Sequence, residues 1–118
     1  MSVVRSDYEL AVPVGLASRL WTDVNRWPTF VDGFGHVVQI DDTWPEPGAK
    51  VVWESGPAGR GRVTERIKEH TDAAIVSEVF ESQLTGTQRV TFEPDAEGSL
   101  VTVGLSYELQ KGGPLRGL

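Results

Sequence analysis

The stretch SLVTVGLSYELQ, residues 99–110, alternates apolar and polar side chains along its length. One face of this stretch carries Val101, Val103, Leu105, Tyr107 and Leu109. The stretch before it, residues 86–93, places Gln88, Val90 and Phe92 together on one face. A period of two is typical of β-strands that bury one face. The two stretches therefore predict neighbouring strands whose apolar face must be covered by another layer.

Strand character continues outward along most of the chain. Further strands are predicted at residues 3–12, 36–42, 49–55, 61–69 and 73–81. Short turn signals separate them, among them the glycine-rich segment 56–61, which we interpret as a rim loop. A parallel pair needs a crossover of about a dozen residues or more, so these short connections join antiparallel neighbours. The pattern predicts an antiparallel meander.

Helical spacing is confined to the segment between the first two strands. Its apolar positions are Val14, Ala17, Leu20, Trp21 and Val24. Pro13 suits the first turn of a helix, whereas Pro28 disfavours helical geometry at Trp27. We therefore expect one helix that ends near Asn25 and a second short helix over residues 29–33, with Trp27-Pro28 as a rigid stop between them. Two short helices can cover only part of such a sheet.

Composition limits the partners of the chain. The 118 residues include no cysteine and carry a formal net charge of -6, which excludes disulfides and opposes binding to nucleic acid or anionic membranes. The first residues lack the pattern of a signal peptide, and no stretch approaches the roughly 20 apolar residues of a membrane span. These features predict a cytoplasmic protein without an integral membrane segment. No clustered histidines or carboxylates predict a metal site, and no motif predicts a cofactor.

Several motifs, taken in order, resemble the START-like (SRPBCC) superfamily, and within it the polyketide cyclase/dehydrase and lipid-transport group. They are Val12-Pro13, LWTDV at residues 20–24, RWPTF at residues 26–30, GSLVTV at residues 98–103 and Gly113-Pro114-Leu115. The resemblance implies an α+β helix-grip fold, in which a curved antiparallel sheet of about seven strands wraps a long C-terminal helix around a cavity. We expect a single START-like domain over residues 1–118, truncated before that helix.

The candidate ligand-binding residues fall into two sets. Aromatic side chains near the expected cavity mouth suit flat apolar ligands: Trp27, Phe30, Phe34 and Trp53. The apolar strand face supplies the second set: Val90, Phe92, Val103, Leu105 and Tyr107. The alternative for both sets is ordinary core packing, because cavity lining and solid core look identical in sequence.

Arg66 and Tyr107 are the catalytic candidates. In the aromatase/cyclase arm of the family, an arginine at the place matching Arg66 projects into the pocket. Periodicity favours solvent for Arg66, because Val63 and Ile67 form the inward pair. Family members also tend to have a tyrosine where this chain has Phe34, which weakens a catalytic reading. The nearby glutamates are predicted to form a solvated sheet face: Glu65, Glu69, Glu78 and Glu81.

Three functions remain open at this point. The first is the binding of a hydrophobic small molecule, such as a lipid, quinone or polyketide, because the sequence has an apolar face and aromatics but no convergent catalytic set. The second is a polyketide cyclase or dehydratase that uses Arg66 as electrostatic anchor and Tyr107 as acid. The third is an interaction domain whose sheet face accepts a partner helix. A homodimer is also open.

Overall fold

A computed structural model of the chain describes residues 2–31, 34–55 and 61–109. The strands are β1 (Ser2–Leu10), β2 (Phe34–Ile40), β3 (Lys50–Ser55), β4 (Arg62–His70), β5 (Ala74–Glu81), β6 (Leu84–Asp95) and β7 (Gly98–Leu109). Between β1 and β2 lie the helices α1 (Val14–Thr22) and α2 (Trp27–Phe30), joined by one 3₁₀ turn, Val24–Arg26. Residues 110–118, where the resemblance places the start of a C-terminal helix, lie outside these ranges.

All seven strands form one antiparallel sheet in the order β1-β7-β6-β5-β4-β3-β2. The predicted meander is therefore confirmed, and β1 completes it by pairing with the last strand. At that seam the backbones lie close, because a Cβ on Gly98 would collide with the carbonyl oxygen of Leu10. Ser99 Oγ also donates a hydrogen bond to the Val12 carbonyl. These contacts fix the start of α1 against the sheet.

The helices differ slightly from the sequence prediction. The first ends at Thr22 rather than near Asn25, and the second begins at Trp27 rather than at residue 29. The expected stop at Trp27-Pro28 was wrong, because proline in the first turn needs no N–H partner and so opens α2. Trp27 Nε1 donates to the Trp21 carbonyl and Trp44 Nε1 donates to the Thr22 carbonyl, each at 2.9 Å. These indoles satisfy carbonyls that the end of α1 leaves free.

The core lies between α1 and the central strands. Val90 and Val101 are fully buried, Phe92 is 2% exposed, and Ala17 of α1 packs against them. The register pairs Val90 with Val103 and Phe92 with Val101, so these residues share one apolar face, as the alternation predicted. Ser18, on the same helix, is buried and its hydroxyl has no hydrogen-bond partner among the described residues. No helix in the described part of the chain has the length and apolarity needed to span a bilayer.

Candidate functional site: an aromatic cleft between sheet and helices

Two adjoining chambers open between the helices and the sheet. The larger, of about 320 Å³, lies beside β1 and is lined by Tyr8, Leu10, Ala17, Leu20, Trp21, Arg26, Thr29, Phe30 and Val101. The smaller, of about 230 Å³, reaches toward β3 and is lined by Tyr8, Trp21, Trp27, Phe30, Val31, Trp53, Glu65, Gln88 and Val103. We call them the β1 chamber and the aromatic chamber. They share Tyr8, Trp21 and Phe30, so together they form one cleft.

Aromatic rings in mutual contact form the wall of the aromatic chamber. Trp27 is 5% exposed and meets Phe34, Trp44 and Trp53 edge to face, with ring centroids 6.0, 6.1 and 6.3 Å away. Phe34 packs behind Trp53 at 5.4 Å. Aromatic pairs in such geometries contribute roughly 0.5–1.5 kcal/mol each beyond their buried area. The wall is therefore a preformed surface rather than a set of independent side chains.

Glu65 brings into the aromatic chamber the one carboxyl group among its described lining residues. It lies on β4 between Val63 and Ile67, which are both buried on the sheet's inner face. Trp53 Nε1 donates a hydrogen bond of 2.8 Å to Glu65 Oε2. Burial raises the pKa of Glu65 above its ordinary value, and the bond from Trp53 offsets only part of that shift.

The prediction that Glu65 lies on a solvated face was wrong. Residues two apart on a strand share a face, so a position between two inward residues of the same parity points inward too. The identification of Val63 and Ile67 as the inward pair already implied this placement. The charge of Glu65 favoured a solvent-exposed position, whereas the alternation along β4 places its side chain on the inner face.

Glu54, on the neighbouring strand, shows the contrasting environment. Its carboxylate accepts from Arg62 at 2.8 Å, and His36 lies 3.9 Å from it. The hydrogen bond from Arg62 lowers the pKa of Glu54. The three side chains form an exposed ion-pair group on the outer face, where solvent screens such contacts. The outer face therefore supplies a cation to Glu54, whereas the described lining of the aromatic chamber supplies none to Glu65.

Comparison with known proteins identifies the architecture. No protein-family model and no curated protein sequence matches the chain. Among solved structures, a protein from Chromobacterium violaceum superposes with a TM-score of 0.74 at 15% identity, over 95% of this chain and 83% of the other. Norcoclaurine synthase from Thalictrum flavum gives 0.71 at 10% identity, over 92% and 69%. The di-domain ARO/CYC StfQ from the steffimycin biosynthetic pathway gives 0.74 at 15% identity, over 92% and 37%.

The chain has the START-like fold. The predicted α+β helix-grip class, with a curved seven-stranded sheet and two short helices after the first strand, is confirmed. At these identities the likeness shows the fold alone. What the START-like sheet binds must therefore be argued from its own cleft.

The nine predicted ligand-binding residues occupy four kinds of position in the START-like fold. Four line the aromatic chamber: Trp27, Phe30, Trp53 and Val103. Phe34 supports that wall from behind. Val90 and Phe92 lie in the solid core under α1 and line neither chamber. Leu105 and Tyr107 lie farther along β7 and also line neither chamber.

The catalytic candidates Arg66 and Tyr107 are not brought together. Arg66 is exposed on the outer face, where its Nη1 donates to the Gly48 carbonyl at 3.1 Å. Its strand neighbour is Glu78, whereas Tyr107 pairs with Gly86 two strands away from β4. Tyr107 borders a shallow depression outside the cleft. Arg66 and Tyr107 are therefore not placed to act together on one ligand.

Sequence reasoning missed several lining residues. Tyr8 and Leu10 alternate inward on β1, and Leu20 and Trp21 belong to the apolar face of α1. Both signals were recognised, but only as strand and helix patterns. Gln88 shares a face with Val90, as predicted, and lines the aromatic chamber. No group of three or more histidines, aspartates or glutamates suited to a metal occurs within the described ranges.

Proposed function

We propose that the chain binds a small apolar or aromatic molecule in the cleft between α1, α2 and the START-like sheet. The observation that carries this proposal is the aromatic chamber, whose wall contains five ring side chains: Tyr8, Trp21, Trp27, Phe30 and Trp53. Ligand pockets are concave, mostly apolar and supplied with a few polar groups that fix orientation. Glu65 and Gln88 are such groups here.

Size and charge narrow the class of ligand. The β1 chamber, of about 320 Å³, lies at the small end of the range of pocket volumes for drug-sized ligands, and the aromatic chamber, of about 230 Å³, lies below that range. A compact ring system therefore fits better than a long extended chain, and a short polyketide-like or quinone-like body fits better than a whole lipid. The net charge of -6 favours a small-molecule partner over nucleic acid.

A second candidate is an enzyme of the cyclase or dehydratase type, with Glu65 in place of the Arg66–Tyr107 pair. The observation that favours it is the position of Glu65 in the lining of the cleft, where burial raises its pKa, because a carboxyl group with a raised pKa can act as a general acid. The substitution Glu65→Gln would then abolish turnover of a bound poly-β-ketone thioester and leave its affinity unchanged. Equal turnover by the unaltered protein and by Glu65→Gln would exclude Glu65 as the general acid.

Titration with naphthylmethanol, a neutral aromatic alcohol, tests the binding proposal. Trp21, Trp27 and Trp53 line the cleft, so their fluorescence should change on saturation. The variant Gln88→Trp places a ring inside the aromatic chamber and should lower the affinity for the alcohol by roughly tenfold or more. Arg89→Trp adds the same ring one residue along, at an exposed position, and should leave affinity unchanged.

Chemical denaturation of both variants separates a blocked cleft from an unfolded protein. The proposal expects similar midpoints for the two variants and loss of binding only in Gln88→Trp. Equal binding by both variants, or no saturable binding by the unaltered protein, would contradict it.

A further inference from the structure

Glu65 is half-buried at the aromatic chamber and has no charge partner within the described part of the chain. Its Oε2 accepts the Trp53 indole N–H at 2.8 Å, and its Oε1 has no hydrogen-bond partner among the described residues. No cation in those ranges forms an ion pair with it. Arg26, which lines the adjoining β1 chamber, is paired with Asp23 at 3.6 Å. A carboxylate taken out of water needs a counter-charge or a set of donors, and the described chain supplies a single neutral donor.

The rings around Glu65 point to the kind of counter-charge that fits. Aromatic faces carry partial negative charge, so they attract cations and disfavour a lone carboxylate. Tyr8, Trp21, Trp27 and Trp53 all line the chamber that Glu65 enters. Tryptophan is the strongest of the aromatic side chains for binding cations. Rings and carboxyl group thus favour the same guest, which is positively charged.

Gln88 adds a second polar contact to the same chamber. It lies on β6 and lines the chamber together with Val103 of β7. Its amide oxygen is an acceptor, as is the free Oε1 of Glu65. Two acceptors and several ring faces suit an ammonium group, which has up to three N–H donors. The apolar remainder of the cleft suits a ring or short hydrocarbon attached to that group.

We propose that the cleft selects protonated amines carried on an aromatic or apolar body, with Glu65 Oε1 accepting an ammonium N–H and the tryptophan rings surrounding the charge. This inference rests on the proposed function, because it names the ligand class of the same cleft. It assigns Glu65 as the residue that determines specificity. It assigns the rings the two tasks of enclosing the apolar body and stabilising the cation.

The experiment compares three probes that share one ring system: naphthylmethylamine, naphthylmethanol and naphthoate. They are respectively cationic, neutral and anionic near neutral pH. At pH 7.5 the amine should bind roughly tenfold tighter than the alcohol, and the anion should bind most weakly. Glu65→Gln, which keeps the size of the side chain, should remove the advantage in affinity that the amine has over the alcohol. The matched control Glu69→Gln removes the same charge from an exposed position on β4 and should change neither the affinity for the amine nor that for the alcohol.

Proton release gives a readout that a purely structural role of Glu65 would not produce. If the bound ammonium ion holds Glu65 in its charged form, amine binding releases a proton, so affinity for the amine rises with pH up to the pKa of Glu65 in the free protein. Calorimetry in buffers of different ionisation enthalpy measures that proton. A ligand that instead accepts a hydrogen bond from protonated Glu65 would show the opposite pH dependence.

Among residues 2–31, 34–55 and 61–109, few other titratable groups face Glu65. Tyr8 of β1 lines the same chamber, and Arg26 lies in the adjoining one. Glu81 of β5 is near by register, because Glu65 pairs with Val79 two residues before it. The contacts from β3, β6, β7 and the helices come from residues that do not titrate: Trp53, Gln88, Val103, Trp21, Trp27, Phe30 and Val31. Glu81→Gln is therefore the control for the pH profile.

The possible outcomes distinguish a failure of the ammonium inference from a failure of the proposed function. A preference for the amine that disappears in Glu65→Gln supports both of them. Alcohol binding with no preference for the amine, or with tighter binding of naphthoate, overturns the ammonium inference and leaves the proposed function intact. Failure of all three probes to bind in the cleft overturns both.

Discussion

The sheet face under α1 and the sheet face beside β3 are built from neighbouring strands but are filled in different ways. Under α1 the space is closed by branched and small side chains, with Val90 and Val101 fully buried and Ala17 pressed against them. We call this region the packed core. In the aromatic chamber the rings of Trp27 and Trp53 meet edge to face and border an open volume of about 230 Å³.

The difference follows from side-chain shape and from which element covers the sheet. Valines and alanine interdigitate at the density of an organic crystal, and α1 lies directly over them. Large planar rings in edge-to-face contact cannot fill space so completely, and α2 has only four residues with which to cover them. Stability therefore depends mainly on the packed core, and recognition depends on the region that is incompletely covered.

The largest expected effect is on the packed core. Phe92→Ala should lower the free energy of unfolding by roughly 3–5 kcal/mol, because it removes a buried ring and leaves a cavity. Urea denaturation measures the loss, and Phe92→Leu provides a milder variant that remains folded. The control Phe80→Ala truncates a ring that is 40% exposed and should cost far less. Equal losses at both positions would contradict the division into two regions.

Trp27 links the two regions, because its ring lines the chamber and its indole N–H bonds the end of α1. Trp27→Phe should lower the free energy of unfolding by roughly 1–3 kcal/mol, since the partly buried Trp21 carbonyl loses its donor. The same substitution should also lower the affinity of the protein for naphthylmethanol. Phe30→Leu, which alters a ring that is 44% exposed, is the control for stability. A Trp27→Phe protein with lost binding and full stability would show that Trp27 serves the chamber alone.

The pH dependence of stability separates Glu65 from Glu54. Because burial raises the pKa of Glu65 in the folded state, the folded chain binds more protons than the unfolded chain between the ordinary and the raised value. The contribution of Glu65 to stability therefore falls as pH rises through that window. Glu65→Gln should remove this decline, which denaturation midpoints measured across the window would show.

Glu54 should behave in the opposite sense. The hydrogen bond from Arg62 lowers the pKa of Glu54, so its contribution is present above the unfolded pKa and is lost as pH falls toward the folded pKa. The effect of Glu54→Gln on the free energy of unfolding should therefore be smallest at acidic pH. Parallel pH profiles for the two variants would contradict the environments assigned to the two carboxyl groups.

The smallest effect is expected at Arg66. Arg66→Ala removes an exposed side chain whose contact is the Gly48 carbonyl, so stability should change by less than about 0.5 kcal/mol. Affinity for naphthylmethanol should not change. Arg62→Ala, which loses the ion pair with Glu54, is the matched arginine control. Loss of binding in Arg66→Ala alone would restore the pocket role that the resemblance implied.

The sequence by itself determined the architecture, because strand and helix periods report directly which side chains share a face. The alternation along β6 and β7 predicted the apolar wall, and the short connections required antiparallel neighbours. It also contained the inward position of Glu65, by parity with Val63 and Ile67. Periodicity assigns a face, however, and it does not say how tightly that face is covered.

Only the tertiary structure decided which inward residues are core and which line a space. Val90 and Val103 are direct partners on one face, yet Val90 is sealed under α1 while Val103 borders the aromatic chamber. The difference depends on where α1 and α2 end, on the tryptophans that bond to the end of α1, and on rings contributed by distant strands. Those contacts join residues far apart in the chain, and local pattern carries no record of them.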